Sequence, residues 1–229
     1  DVTAVVVAMP AIAKDVGLDI AGLAWVIDAY SLAFAAALLA SGALADRFGR
    51  RRCMLVGNAV FLVASVACGM AWSEQMLLAA RAAQGIGAAF MATGGTALIA
   101  IAFPNVAQRT RAFGVLGVIS GIAMAAGPTL GGFLASWFGW SWIFFANVPF
   151  CLALAVAVPR LVTETNDQEG RRLDLVGIAL LTMSLGLAID ALLRRDGSLA
   201  LRATCLIASM TLAFVFLRQQ WRSPRPVLD

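Results

Sequence analysis

Apolar runs about as long as a bilayer is thick follow one another through almost all of this 229-residue chain, with short charged stretches between them. A helix that crosses the hydrocarbon core needs about 20 predominantly apolar residues. By that measure the sequence predicts a shortened first helix over roughly 1–13. Seven full spans follow over roughly 22–45, 53–72, 76–101, 111–135, 140–158, 173–193 and 199–217. Membrane-spanning strands would alternate apolar and polar residues over about 10 positions; these runs are unbroken and rich in Ala, Leu and Gly. Because hydrocarbon offers no partner to a bare peptide group, the spans must satisfy their own backbone. The predicted fold class is an all-α polytopic membrane protein with the lipid bilayer as its solvent.

Composition closes off the other classes. Hydrophobic residues make up 61% and charged residues 13%, against about 45–50% and roughly 25% in soluble domains. The net charge of +4 does not imply nucleic acid, because the basic residues lie in separate connections and form no single patch. There is no histidine, and Cys53, Cys68, Cys151 and Cys205 stand far apart, so a His/Cys metal centre has no basis. No Ser/His/Asp or Cys/His set and no phosphate loop appears. The chain reads as a non-enzyme with no bound cofactor.

Loop charge sets the direction of the spans. Alternate connections carry Arg47, Arg50, Arg51 and Arg52; Arg109 and Arg111; Arg160, Arg171 and Arg172; and Arg218, Arg222 and Arg225. The others hold Lys14, Arg194, Arg195 and Arg202. Positive charge marks the cytoplasmic side, so the first helix runs outward. Trp72, Trp137, Trp140 and Trp142 then fall near outer ends, where interfacial aromatics belong. The predicted organisation is a six-helix unit over 1–158, a cytoplasmic loop over 159–172, two further membrane helices over 173–217 and a cytoplasmic connection over 218–229. The chain opens at Asp1 directly into an apolar run, with no basic leader or cleavage site, and stops after SPRPVLD. It reads as a piece of a longer protein, with its first helix cut and a second lobe missing.

Four stretches carry chemistry. SGALADRFGRRRCML, residues 41–55, joins the second and third spans. Gly42 would let another helix approach, and Asp46 could pair with an arginine and with the positive end of an adjacent helix. LLAARAAQGIGAAF, residues 77–90, puts Arg81 inside the hydrocarbon with Gln84 one turn on, at about 2.5–3.5 kcal/mol on insertion scales. On the fifth span Gly121, Pro128 and Gly132 share a face with Gly117 close to it, a surface suited to tight helix packing. In WVIDAYSLAF, Trp25 and Asp28 share a face; a carboxylate beside an aromatic ring suits a lipophilic organic cation. Asp174 is positioned to cap the seventh span, and Asp190 to pair with Arg194.

GALADRFGRRR resembles the signature loop of the major facilitator superfamily, which latches two lobes together on the cytoplasmic side. The resemblance implies that gating role for Gly42, Asp46, Arg47, Gly49 and Arg50. Residues 77–90 resemble the family's fourth-helix motif, R-x-x-Q-G-x-G. Residues 114–134, GVLGVISGIAMAAGPTLGGFL, resemble its fifth-helix antiporter motif, which gives Gly117, Gly121, Gly127, Pro128, Gly131 and Gly132 a packing role and is associated with exporters. DVTAVVVAMPAI, residues 1–12, resembles the first-helix motif of fourteen-helix drug:proton antiporters, with Asp1 and Pro10 matching and Val6 standing where an asparagine is usual. WSWIFFANVPF, residues 140–150, is close to their sixth-helix stretch, with Ser141 in place of arginine. The resemblance spans essentially the whole chain.

What it implies is the N-terminal part of a proton-coupled exporter in the inner membrane of a bacterium. Its substrates would be drug-like molecules or antiseptics, chiefly lipophilic cations, with the proton gradient as energy source. Asp1, Trp25, Asp28, Arg81 and Gln84 would form the proton-coupling and substrate site. A same-fold transporter of a specific metabolite and a non-transporting membrane sensor are the competing readings.

Overall fold

The computed structural model describes residues 2–164 and 199–222, with scattered positions between 177 and 191. Asp1, Asp174, Asp190, Arg194 and residues 165–172 of the expected loop lie outside the described residues. Eight helices run α1 Val2–Val16, α2 Ile20–Phe48, α3 Arg50–Gly69, α4 Glu74–Ala102, α5 Val106–Phe138, α6 Ser141–Phe145, α7 Asn147–Leu161 and α8 Leu199–Arg222 among the described residues. Among the described residues six stretches are long and apolar enough to cross a membrane: Ile20–Leu38, Arg50–Gly69, Glu74–Ala102, Val106–Phe138, Ser141–Leu161 and Ala200–Gln219. Their outer surfaces expose Val63, Ile122, Phe150 and Met210, side chains that suit hydrocarbon. The chain is an all-α polytopic membrane protein.

Local chemistry fixes each helix end. Gly17, at φ 75°, turns the chain out of α1, and the Leu18 N–H reaches back to the Ala13 carbonyl at 3.0 Å in the manner of a Schellman close. Asp19 then caps α2, its Oδ1 accepting the Gly22 N–H at 2.7 Å. Ser73 caps α4 through the Met76 N–H and Asn105 caps α5 through the Ala107 N–H. Pro104 brings no N–H and restricts Phe103, so α4 cannot continue.

Several boundaries depart from the sequence expectation. The fifth helix starts at Val106 rather than 111 and takes in Arg109 and Arg111. The third helix starts at Arg50 rather than 53, so three arginines stand in its first turn. The expected 140–158 span is two helices meeting at Ala146. Pro149 has no N–H to give the Phe145 carbonyl, while Ala146 keeps helical angles (φ −59°, ψ −23°), so the crossing keeps its direction while its hydrogen-bond ladder is interrupted.

α4 is the centre of the bundle, packed between α2 and α3, while α1 lies against α5 and α3 against α7. The close fit comes from glycine. A methyl on Gly85 would collide with the Tyr30 carbonyl of α2, and one on Gly87 would stand 2.7 Å from the Gly57 carbonyl of α3. Val5, Ile12, Val26, Leu77, Ile143 and Phe144 fill the core near the ends that the Gly17 and Gly139 turns share.

Candidate functional site

Arg81 is completely buried and lies between helices. It does not reach out to the membrane surface. Its Nε donates to the Val26 carbonyl at 3.0 Å, using a lone pair left over from the α2 ladder, and its Nη1 donates to Gln84 Oε1. Gln84 Nε2 in turn donates to Ser65 Oγ of α3 at 2.8 Å. The guanidinium carbon lies 4.4 Å from the Tyr30 ring centroid and 5.9 Å from that of Phe144. Three helices, α2, α4 and α6, thus meet at one cation through a carbonyl, an amide and two aromatic faces, and Gln84 ties the cluster to α3. Cation–π contacts of this kind contribute about 2 kcal/mol or more when desolvated, an offset to the burial of charge.

Gln84 is held from both sides and is itself fully buried. The motif R-x-x-Q-G-x-G therefore reads physically from end to end: Arg81 reaches α2, Gln84 reaches α3, Gly85 admits α2 and Gly87 admits α3. Trp25 and Asp28 are half-buried on α2, on the helix that supplies Val26 and Tyr30. Asp1 lies outside the described residues.

Phe144 is held by Trp140, expected at the membrane interface but buried in the core. Its ring meets Trp140 edge-on at 6.2 Å, and Trp140 Nε1 donates to Asp15 Oδ2 at 2.9 Å. Asp15 and Trp140 are 125 positions apart, and nothing in the spacing of a lone aspartate announces that pairing.

The turn between α2 and α3 is a second polar centre, at the opposite end of the bundle. Gly49 makes it alone, at φ 103°, a conformation that strongly favours glycine. Arg50 donates to Asp46 Oδ1 from Nη2 at 2.7 Å and from Nε at 3.1 Å. Asp46 remains 57% exposed, and Arg47 is exposed over the Phe48 ring at 5.4 Å. The expected pairing of Asp46 with an adjacent helix's positive end differs in detail. The N-terminus of α3 is occupied by Glu164, whose Oε1 accepts the Arg51 N–H at 3.1 Å and whose Oε2 accepts the Arg52 N–H at 3.2 Å. Gly42 has nothing within 4 Å of the place its Cβ would take, so among the described residues it admits no neighbour.

The fifth-helix glycines divide into two sets. Methyls on Gly127 and Gly131 would collide with Thr3 and Ala4 of α1, and one on Gly132 would touch Val7 at 3.4 Å. Gly117 and Gly121 border open space among the described residues, so the expected packing role has no counterpart there. Gly127 and Gly131 are turned roughly 80° from the Gly117–Gly121 stripe, and α1 took that neighbouring face. Pro128 lies within α5 without ending it.

Comparison with known proteins agrees with this architecture. The family model described as Major Facilitator Superfamily matches residues 1–221. The chain is 37% identical over 232 residues to the methylenomycin A resistance protein of Bacillus subtilis, covering 100% of this chain and 49% of that protein. It is 34% identical over 234 residues to the multidrug resistance protein Stp of Mycobacterium tuberculosis, covering 100% and 43%. It is 35% identical over 231 residues to the multidrug efflux pump LfrA of Mycolicibacterium smegmatis, covering 100% and 46%. The chain spans about half the length of the curated relatives it matches.

Proposed function

This chain belongs to the Major Facilitator Superfamily, a family of membrane transporters, and from that membership we propose that its complete gene product is a proton-coupled exporter of drug-like molecules, lipophilic organic cations foremost. The observation that carries the export reading is likeness along the whole chain to proteins named for drug resistance and efflux. In this reading residues 1–158 form one lobe and 159–172 a cytoplasmic loop. Residues 173–217 supply two linker helices and 218–229 lead to a second lobe, all in a bacterial inner membrane.

Arg81 supplies a fixed positive charge that water does not screen. Asp28, with Trp25 one turn before it on α2, offers a carboxylate and an aromatic face to a cation. Asp1 exchanges a proton for that cation as the cavity alternates between faces of the membrane. Asp46, Arg47 and Arg50, on the Gly49 turn, latch this lobe to its partner on the cytoplasmic side.

The test uses inside-out vesicles carrying the complete gene product. An imposed proton gradient should drive uptake of a monovalent cationic dye and a divalent antiseptic, and a protonophore should abolish it. Asp28→Asn should reduce transport of the divalent cation several-fold more than that of the dye. Uptake indifferent to the protonophore would remove the coupling. Movement only in the opposite sense would point to an importer, and binding without flux to a sensor.

A further inference from the structure

α3 begins with a deficit. The first N–H groups of a helix have no intrahelical partner, and here the preceding residue is Gly49, which has no side chain to offer them. Arg50, Arg51 and Arg52 also place three cations where the helix dipole is already positive. Glu164, just past the end of α7, resolves both problems from more than a hundred residues away. Its two carboxylate oxygens take the Arg51 and Arg52 N–H groups separately, and Oε2 lies 3.6 Å from Arg52 Nε. Arg51 Nη1 donates at 3.2 Å to the carbonyl of Val162, the residue that closes α7. The carboxylate sits so close to Gly49 that a methyl there would collide with it. Gly49 is therefore required twice, by its φ of 103° and by Glu164.

We infer that Glu164 is a positioning residue for the α2–α3 turn: by capping α3 from the end of α7 it sets the backbone from which Asp46, Arg47 and Arg50 are presented. This rests on the reading of that turn as a gate. Two carboxylates hold the turn with different jobs. Asp46 engages the Arg50 side chain and stays largely open to solvent, so it is available to a moving partner; Glu164 engages backbone and is the fixed one. A gate needs both, since a side chain can meet its partner reproducibly only from a backbone that does not wander.

The experiment combines amide exchange and transport on the complete gene product, comparing Glu164→Ala, Glu164→Gln, Glu164→Asp and Asp46→Asn. In Glu164→Ala the amides of Arg51 and Arg52 should exchange about five- to tenfold faster, and efflux should fall with substrate KM unchanged. Glu164→Gln can accept at one oxygen only and should lie between wild type and alanine, so a result survives if the alanine variant fails to reach the membrane. Glu164→Asp should restore part of both signals. Unchanged exchange in Glu164→Ala and Glu164→Gln overturns the cap. Faster exchange with normal efflux, while Asp46→Asn is inactive, overturns the positioning role and leaves the gate standing. Normal efflux in Asp46→Asn and Glu164→Ala alike removes the gate itself.

Discussion

The Arg81 guanidinium stacks over the Tyr30 ring, 4.4 Å from its centroid, and both belong to helices that touch through Gly85. Cation and ring are held together by a backbone approach that a larger residue at 85 would prevent. In the complete gene product, taken as the proposed exporter, Tyr30→Phe keeps the aromatic face and should retain most efflux. Tyr30→Leu should lose about 1–2 kcal/mol of the interaction, read as a several-fold drop in efflux with the protein still in the membrane.

Arg81→Lys should behave as a loss of function. An ammonium cannot donate along the fixed directions of a guanidinium to the Val26 carbonyl and Gln84 together. Gln84→Leu should be worse for folding, since it strips partners from Arg81 and Ser65 at once. Buried groups left unsatisfied cost about 1–3 kcal/mol each. Thermal melts in detergent should show the larger drop for Gln84→Leu, and transport assays should find both variants inactive.

Glycine substitutions should separate by helix face. Gly85→Ala and Gly87→Ala push a methyl into a neighbouring backbone and should cost about 1–3 kcal/mol, visible as reduced yield of folded protein. Gly117→Ala and Gly121→Ala meet nothing within 4 Å and should leave yield unchanged. If those two variants fold normally yet lose efflux, the stripe serves a contact with another part of the protein.

Asp46→Asn should hardly change stability. Its pair with Arg50 is partly solvated, and exposed ion pairs are worth about 0–1 kcal/mol. A melting temperature within error of wild type, together with lost efflux, would assign the residue to gating. A large drop in melting temperature would assign it to structure.

Trp140→Phe keeps the edge-on contact with Phe144 but removes the donor to Asp15. The expected loss is about 0.5–1.5 kcal/mol, measured by thermal unfolding, and Asp15→Ala should produce a similar shift. The double variant should cost little more than either alone, because both remove one bond.

Long-range order explains what could and could not be read from the sequence. The fold class was legible because lipid demands length and apolarity, which are local properties. Arg81 and Gln84 were legible because a charge inside an apolar run is conspicuous by itself. Tyr30, Ser65 and Phe144 were not, since each is ordinary in its own helix and acquires meaning only when helices meet around Arg81. Glu164 stood in a polar stretch among other charges, and its partners are backbone groups that no sequence displays. The arginines of 50–52 read as a loop because the cap that lets α3 start there lies beyond α7. On α5 the glycine period was visible, but which face would meet α1 depended on Thr3 and Ala4, whose positions follow from the whole bundle.

The connections have a mechanical consequence. Between α1 and α6 no linker exceeds the four residues from Met70 to Ser73, and α2 passes to α3 through Gly49 alone. Most are pinned by a side chain or a close backbone bond. Such joints have no slack, so one helix cannot slide along its neighbour without tearing a cap. Helices α1 to α7, joined this tightly, are built to move together, and in the proposed transporter a displacement that carries a solute would fall at the outer faces of that piece.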